Sequence, residues 1–205
     1  MTMAERPTIE FWYEFASSYS WLSVMRIEAL AAGAGVEVAW RPFLLGPVFL
    51  ALGWNDSPFN IYPPKGRYMW RDLARLAQKY GLPFRMPGRF PRSGVLAARV
   101  ALLGVEEGWV APFSRAVLNA NFAEDREIGE AVVIGEILAT LGLPAEELLA
   151  RAVTPENKLA LRAQTERAAE LGLFGAPSFR VGDELFWGND RLEDALEWAR
   201  RSPAG

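Results

Sequence analysis

Hydrophobic and polar positions follow two different periods along this chain. Thr8 to Phe15 is an aromatic-rich run that predicts a strand. From about Ser18 to Ala32, Trp21, Leu22, Met25, Ala29 and Leu30 fall at helical spacing, and Gly33 and Gly35 end that helix. Val36 to Pro42 alternates Val36, Val38 and Trp40, which predicts a second strand. Strand, helix and strand with short connections form a right-handed crossover unit with parallel strands. Phe43 to Pro64 then reads as loop, being rich in Pro and Gly.

Helical patterns follow over about 65–80, 94–107, 110–121, 128–141, 145–152 and 155–171. Gly81 to Arg92 is broken by Pro83, Pro87, Gly88 and Pro91. Thr154 before Pro155 suits an N-cap followed by proline in the first turn. Strand chemistry returns at Ser178–Val181 and Glu184–Trp187, joined by Gly182-Asp183 as a tight hairpin, before a closing helix from Asp190 to Arg201. Neither flank has enough strands for a sheet, but four together do. The expectation is therefore one α/β unit. Its βαβ…ββα core spans about 7–43 and 172–201, and a large all-helical insertion spans about 44–171.

Composition narrows the chemistry. The 205 residues are 51% apolar and 23% charged, enough for a sizeable core. Eight Trp and twelve Phe suggest that some aromatics line an apolar cleft. A net charge of -3 argues against a nucleic-acid surface. Zero Cys removes disulfides, thiolate metal sites and cysteine nucleophiles, and zero His removes the commonest general base and transition-metal ligand. No metal site is expected. No apolar run reaches the ~18–20 residues of a membrane helix, and Met1 to Pro7 lacks a secretory pattern, so a cytoplasmic protein is expected.

Four segments could carry chemistry. Ser17, with Ser18 and Ser20 beside it, either caps the helix or turns a hydroxyl to an anionic sulfur above the helix start. Dipole effects of about 1–2 kcal/mol and a charged hydrogen bond of about 1.5–3 kcal/mol would, after desolvation, lower a thiol pKa by about 1.5–3 units. No side-chain base is then required. Gly175-Ala176-Pro177-Ser178 is either an ordinary loop or a cis-proline turn that frees the Ala176 N–H and C=O for a ligand backbone. Asn189-Asp190, with Glu193 beyond, resembles a capping box and also suits a zwitterionic ligand. Asn55, Asn60, Lys65 and Arg67 lie on a Pro-rich stretch, with Lys65 placed against the helix-dipole preference. Arg85, Arg89 and Arg92 with Phe84 and Phe90 could rim a pocket for an anionic aromatic substrate.

In order, Glu14-Phe15-Ala16-Ser17-Ser18-Tyr19-Ser20-Trp21-Leu22, Lys65-Gly66-Arg67-Tyr68, Phe174-Gly175-Ala176-Pro177 and Trp187-Gly188-Asn189-Asp190-Arg191 resemble the 2-hydroxychromene-2-carboxylate isomerase family. That family is related to kappa-class glutathione transferases, within the DsbA-like thioredoxin superfamily. The turn that carries a reactive cysteine in thioredoxin-like proteins here carries hydroxyls. The resemblance implies a glutathione site in which Ser17 stabilises the thiolate and Ala176, before a cis-Pro177, pairs with the cysteinyl backbone. It also implies that Asn189 and Asp190 hold the γ-glutamyl end, with Asn55 (or Asn60) and Lys65 as further polar contacts. Ser18 stands where many relatives have proline, so Ser17 and Ser18 both remain candidates for the sulfur. The implied activity is glutathione-dependent isomerisation of a small aromatic carboxylate by thiolate addition and elimination. A kappa-like transferase or peroxidase and a redox-inert binding module are the alternatives. A homodimer is implied as well.

Overall fold

The computed structural model describes residues 6–201. Four strands, β1 (Thr8–Tyr13), β2 (Glu37–Pro42), β3 (Ser178–Val181) and β4 (Glu184–Trp187), form one sheet in the order β2-β1-β3-β4. β1 pairs parallel to β2, placing Phe11 opposite Trp40, and antiparallel to β3, placing Phe11 opposite Phe179. β3 and β4 pair antiparallel, with Gly182 at φ 59° in the turn between them. The strand nearest the N-terminus is thus interior, which is why its apolar content is high.

Alternation along β1 decides what covers each face. Ile9, Phe11 and Tyr13 are fully buried in the main core. The Phe11 ring lies 5.0 Å from Tyr13 and 5.3 Å from Phe179. Trp12 points to the other face and packs with Phe43, Val48, Ala168 and Leu173. Full burial of such a side chain is worth about 1.5–3 kcal/mol. Glu10 shares the Trp12 face and reaches Arg41 of β2 at 3.4 Å and Arg180 of β3 at 3.3 Å. These ion pairs tie the three strands together.

Between β1 and β2 the chain forms two helices, α1 (Ser18–Val24) and α2 (Ile27–Ala34), not the single helix the periodicity predicts. The break at Met25-Arg26 has a tertiary cause. Ser23 Oγ donates to Asn189 Oδ1 at 3.1 Å, and the Arg26 guanidinium reaches the same oxygen at 3.2 Å. Arg26 also lies 3.9 Å over the Tyr80 ring. These anchors draw Arg26 out of the helical path. Gly35 ends α2 in the left-handed conformation at φ 69°.

The segment between β2 and β3 holds α3 (Leu45–Ala51), α4 (Pro58–Ile61), α5 (Pro63–Tyr80), α6 (Val95–Glu107), α7 (Val110–Phe122), α8 (Ala131–Thr140), α9 (Ala145–Ala152) and α10 (Pro155–Glu170). The last six lie where periodicity puts them, to within a few residues. α3 and α4 correct the expectation of loop over 43–64. Their prolines fall within the first turn, where a missing N–H breaks no helical bond, and Ser57 Oγ accepts from the Phe59 N–H at 3.3 Å. Thr154 caps α10 as expected, accepting from the Asn157 N–H at 3.3 Å. One buried cluster contains Phe11 and Trp21 together with Val100, Phe113 and Phe122, so the insertion packs directly on the sheet. The chain closes with a short 3-10 turn, Asn189–Arg191, and α11 (Leu192–Arg201). No described helix is long and apolar enough to cross a membrane.

Candidate active site

The turn after β1 is built by local hydrogen bonds. Ser17 is the N-cap of α1, and its Oγ accepts from the Ser20 N–H at 3.2 Å. The same hydroxyl donates to the carbonyl oxygen of Ala176 at 2.9 Å. Ser18 is buried instead, with its Oγ 3.2 Å from the Met69 sulfur. Ser20 is also buried and accepts from the Glu14 N–H at 3.4 Å. Of the three hydroxyls, Ser17 alone is both half-buried and bridged to the second loop. The cap considered for it is formed, and its hydroxyl proton is given to the Ala176 carbonyl.

Ala176–Pro177 is cis. Pro177 O accepts from the Gly188 N–H at 3.0 Å, which fixes this loop to the end of β4. The expectation that both polar groups of Ala176 are free needs correction. Its carbonyl is engaged by Ser17, because the turn and the loop sit close enough to bond directly. A carbonyl oxygen has two lone pairs, so it retains one acceptor site.

A cleft of about 1390 Å³ opens above these loops, and Ser17, Asn55, Lys65, Ala176, Pro177, Asn189 and Asp190 all line it. Their placements differ. Asn189 is buried, and its Oδ1 is taken by Ser23 and Arg26. Asp190 is exposed and, among the described residues, forms an ion pair only with Arg191, at 3.6 Å. The capping box expected for Asp190 and Glu193 is not formed: Glu193 is bonded to Arg26. Lys65 is the third residue of α5, and no acid shares that first turn. Asn55 lines the cleft, whereas Asn60 is turned to Asp56 at 3.2 Å and to the Phe90 carbonyl at 3.3 Å. Gly66 is required for this wall, because a Cβ there would clash with the Phe59 backbone carbonyl.

The arginine cluster is not an open anion rim. Arg92 is buried, with its guanidinium on Asn121 Oδ1 at 3.1 Å and on Asp125. Arg85 and Arg89 pair with Asp125 and Glu127 at 3.7 and 4.0 Å. Two acids against three arginines offset most of the cluster's charge, and Arg92 takes the closest contacts with both. Asn121 in turn donates to the Phe15 carbonyl at 3.1 Å, so the network supports the Ser17 turn from beneath. No cluster of His, Cys, Asp and Glu able to hold a metal occurs among the described residues.

Sequence reasoning missed three groups in the cleft. Glu14 is buried at 7% exposure, and burial pushes its carboxyl up to about 8, against the pull of the Ala16 and Ser17 amides. Tyr19 donates to Asp72 Oδ2 at 2.9 Å, and burial followed by Asp72 holds its phenol above the ordinary value. A lone carboxylate inside the aromatic run Phe11 to Phe15 was the available signal for Glu14. Phe174 and Trp187 form an exposed aromatic pair 4.9 Å apart at the cleft wall. Trp187 packs so closely on Gly175 that a Cβ there would meet its indole.

Fold and site together define a DsbA-like thioredoxin domain with a serine, not a cysteine, at the first helix of the core. The DSBA-like thioredoxin domain family matches residues 8–197. A 2-hydroxychromene-2-carboxylate isomerase of Sphingobium xenophagum is 31% identical over 189 residues, covering 91% of this chain and 94% of the relative. Glutathione S-transferase kappa 1 of Homo sapiens is 27% identical over 200 residues, covering 91% and 88%. The structure of a 2-hydroxychromene-2-carboxylate isomerase superposes with a TM-score of 0.84 at 27% identity, covering 94% of this chain and 93% of that one. The chain belongs to the DsbA-like thioredoxin family, in its 2-hydroxychromene-2-carboxylate isomerase-like branch of enzymes.

Proposed function

We propose that this chain is a glutathione-dependent isomerase acting on a small aromatic carboxylate of the 2-hydroxychromene-2-carboxylate type. The carrying observation is the Ser17 hydroxyl 2.9 Å from the Ala176 carbonyl, at the cleft, in a chain without cysteine. The donor set fits the tripeptide. Ala176 offers backbone groups beside cis-Pro177, Lys65 offers a cation, and Asp190 offers an unburied carboxylate for an ammonium. When bound, glutathione supplies a sulfur nucleophile that adds to a conjugated system and leaves again, so that a fixed double bond becomes rotatable in between.

The protein's part is orientation and charge. Ser17 turns its O–H from Ala176 to the sulfur and stabilises the anion by about 1.5–3 kcal/mol. The backbone dipoles of α1 help less than those of a long helix, because α1 has seven residues. The aromatic pair Phe174 and Trp187 offers a flat apolar wall to a ring.

Two measurements test this. Thiolate ultraviolet absorbance of bound glutathione against pH is expected to show a thiol pKa well below the free value of ~8.5. Turnover of 2-hydroxychromene-2-carboxylate is expected to need glutathione and return it unchanged. An unshifted thiol would refute the reading. The kappa 1 relative motivates a second reading, transferase or peroxidase chemistry at the same site. Glutathione recovered inside the product, or oxidised, would favour it.

A further inference from the structure

Glu14 is the one buried carboxylate among the described residues, and nothing above gives it a task. Its Oε2 accepts from the Ala16 N–H at 2.9 Å, beside the Ser17 turn, and the residue lines the cleft. Gly94, which precedes α6, faces it from the other side. A Cβ at Gly94 would lie 2.6 Å from Glu14 Oε1, so the glycine leaves the room this carboxyl occupies.

A structural carboxylate buried this deeply ordinarily meets a cation. Here none does. Arg92, on the loop before Gly94, is committed to Asn121, Asp125 and Glu127. Tyr13 on β1 is bonded to Ser114 of α7, and Tyr19 on α1 to Asp72 of α5. Asn121 of α7 donates to Phe15, not to Glu14. Burial raises the Glu14 carboxyl to about 8 and no charged group contributes, so it is an acid near neutrality in a chain lacking histidine.

We propose that Glu14 is the proton carrier of the isomerisation, giving its carboxyl proton to the substrate oxygen that gains an electron pair and later taking it back. This rests on the isomerase reading above. As the nucleophile bonds to carbon, the conjugated π pair moves to oxygen, a new O–H forms and the Glu14 O–H breaks. The Glu14 carboxylate is then held by the Ala16 and Ser17 amides while the single bond rotates. In the return step the substrate O–H proton passes to Glu14, the π bond re-forms and the nucleophile leaves with its bonding pair. Protons and electrons balance without an oxidant or reductant.

The experiment compares the full chain with Glu14→Gln, which keeps the oxygen that accepts from Ala16. Three readouts are taken: bound-glutathione thiolate absorbance, turnover of 2-hydroxychromene-2-carboxylate, and a carbon-13 carboxyl titration of glutamate-labelled protein. The expected result is an unchanged thiolate, turnover lower by about 10²–10⁴-fold, and one carboxyl that titrates well above the others and is missing from the variant. Full turnover in Glu14→Gln overturns the proposal. So does parallel loss of thiolate and turnover, which marks a merely structural role. An un-ionised thiol in the unsubstituted protein sinks the isomerase reading itself and takes this proposal with it. Should Glu14→Gln not fold, Glu14→Asp withdraws the acid by one methylene and is expected to keep the thiolate while losing turnover. In that case full turnover, or a carboxyl titration within the ordinary range, overturns the proposal.

Discussion

The Ser17 hydroxyl donates to the Ala176 carbonyl at 2.9 Å, joining the turn after β1 to the residue before cis-Pro177 across 159 positions of sequence. A ligand sulfur must compete with that carbonyl for the same proton. Ser17→Ala removes the donor and is expected to raise the bound glutathione thiol pKa by about 1–2 units, from a charged hydrogen bond of about 1.5–3 kcal/mol. Ser18→Ala is expected to leave it unchanged, since that hydroxyl faces Met69. Thiolate absorbance against pH measures both. A larger effect from Ser18 would reassign the donor.

Stability should depend on pH through Glu14. Its folded pKa, about 8, lies above its unfolded value, so the folded state retains a proton the unfolded chain has lost. The stabilisation is full below about pH 4.3 and declines as pH rises to about 8, by on the order of a few kcal/mol. Urea unfolding at pH 5 and 8.5 reads this difference. Glu14→Gln is expected to flatten it, and a slope that persists in the variant would locate the titration elsewhere.

The Arg92 network underpins the turn. Arg92→Met leaves Asp125 and Asn121 without their shared cation and is expected to cost about 2–4 kcal/mol. Asn121→Ala frees the Phe15 carbonyl and is expected to lower turnover more than it lowers glutathione affinity. Denaturant midpoints together with separate kcat and KM values check these outcomes. Unaltered midpoints would show the network to be dispensable.

Gly66→Ala places a methyl against the Phe59 carbonyl, where α4 crosses α5. Ala ordinarily gains up to ~1 kcal/mol over Gly inside a helix. Overpacking against backbone costs about 1–3 kcal/mol and outweighs it. A fall in Tm is expected, with weaker glutathione binding as the Asn55 and Lys65 wall shifts. A Tm that rises would show that α4 yields freely.

Lys65→Ala removes an exposed cation from the cleft wall and is expected to weaken glutathione binding about two- to fivefold, less at high salt. Asn60→Ala is expected to change nothing, because Asn60 is spent on Asp56 and Phe90. Calorimetric titration separates the two. Equal losses would place Asn60 in the site after all.

What the sequence determined by itself was local in origin. Aromatic richness set the first strand, alternation set the second, and the Gly182-Asp183 turn set the closing hairpin; period 3.6 set the six long insertion helices, and Thr154-Pro155 set a helix start. Cysteine and histidine, being absent, closed off whole classes of chemistry without any coordinates. Ordered motifs nominated Ser17, Asn55, Lys65, Ala176, Pro177, Asn189 and Asp190, which lie along one cleft. Only the tertiary structure decided what those groups do to one another. The break at Arg26 comes from Asn189 and Tyr80, far along the chain. Asn189 loses its oxygen to Ser23 and Arg26, Asn60 turns away from the cleft, and Arg85, Arg89 and Arg92 share the two acids Asp125 and Glu127. The burial of Glu14 and its place opposite Gly94 came from packing, although an acid in an aromatic run already set it apart in the sequence. Backbone preference depends on a few neighbouring residues, whereas burial, partner choice and proton affinity depend on which distant side chains exclude water, and that is a property of the packed molecule.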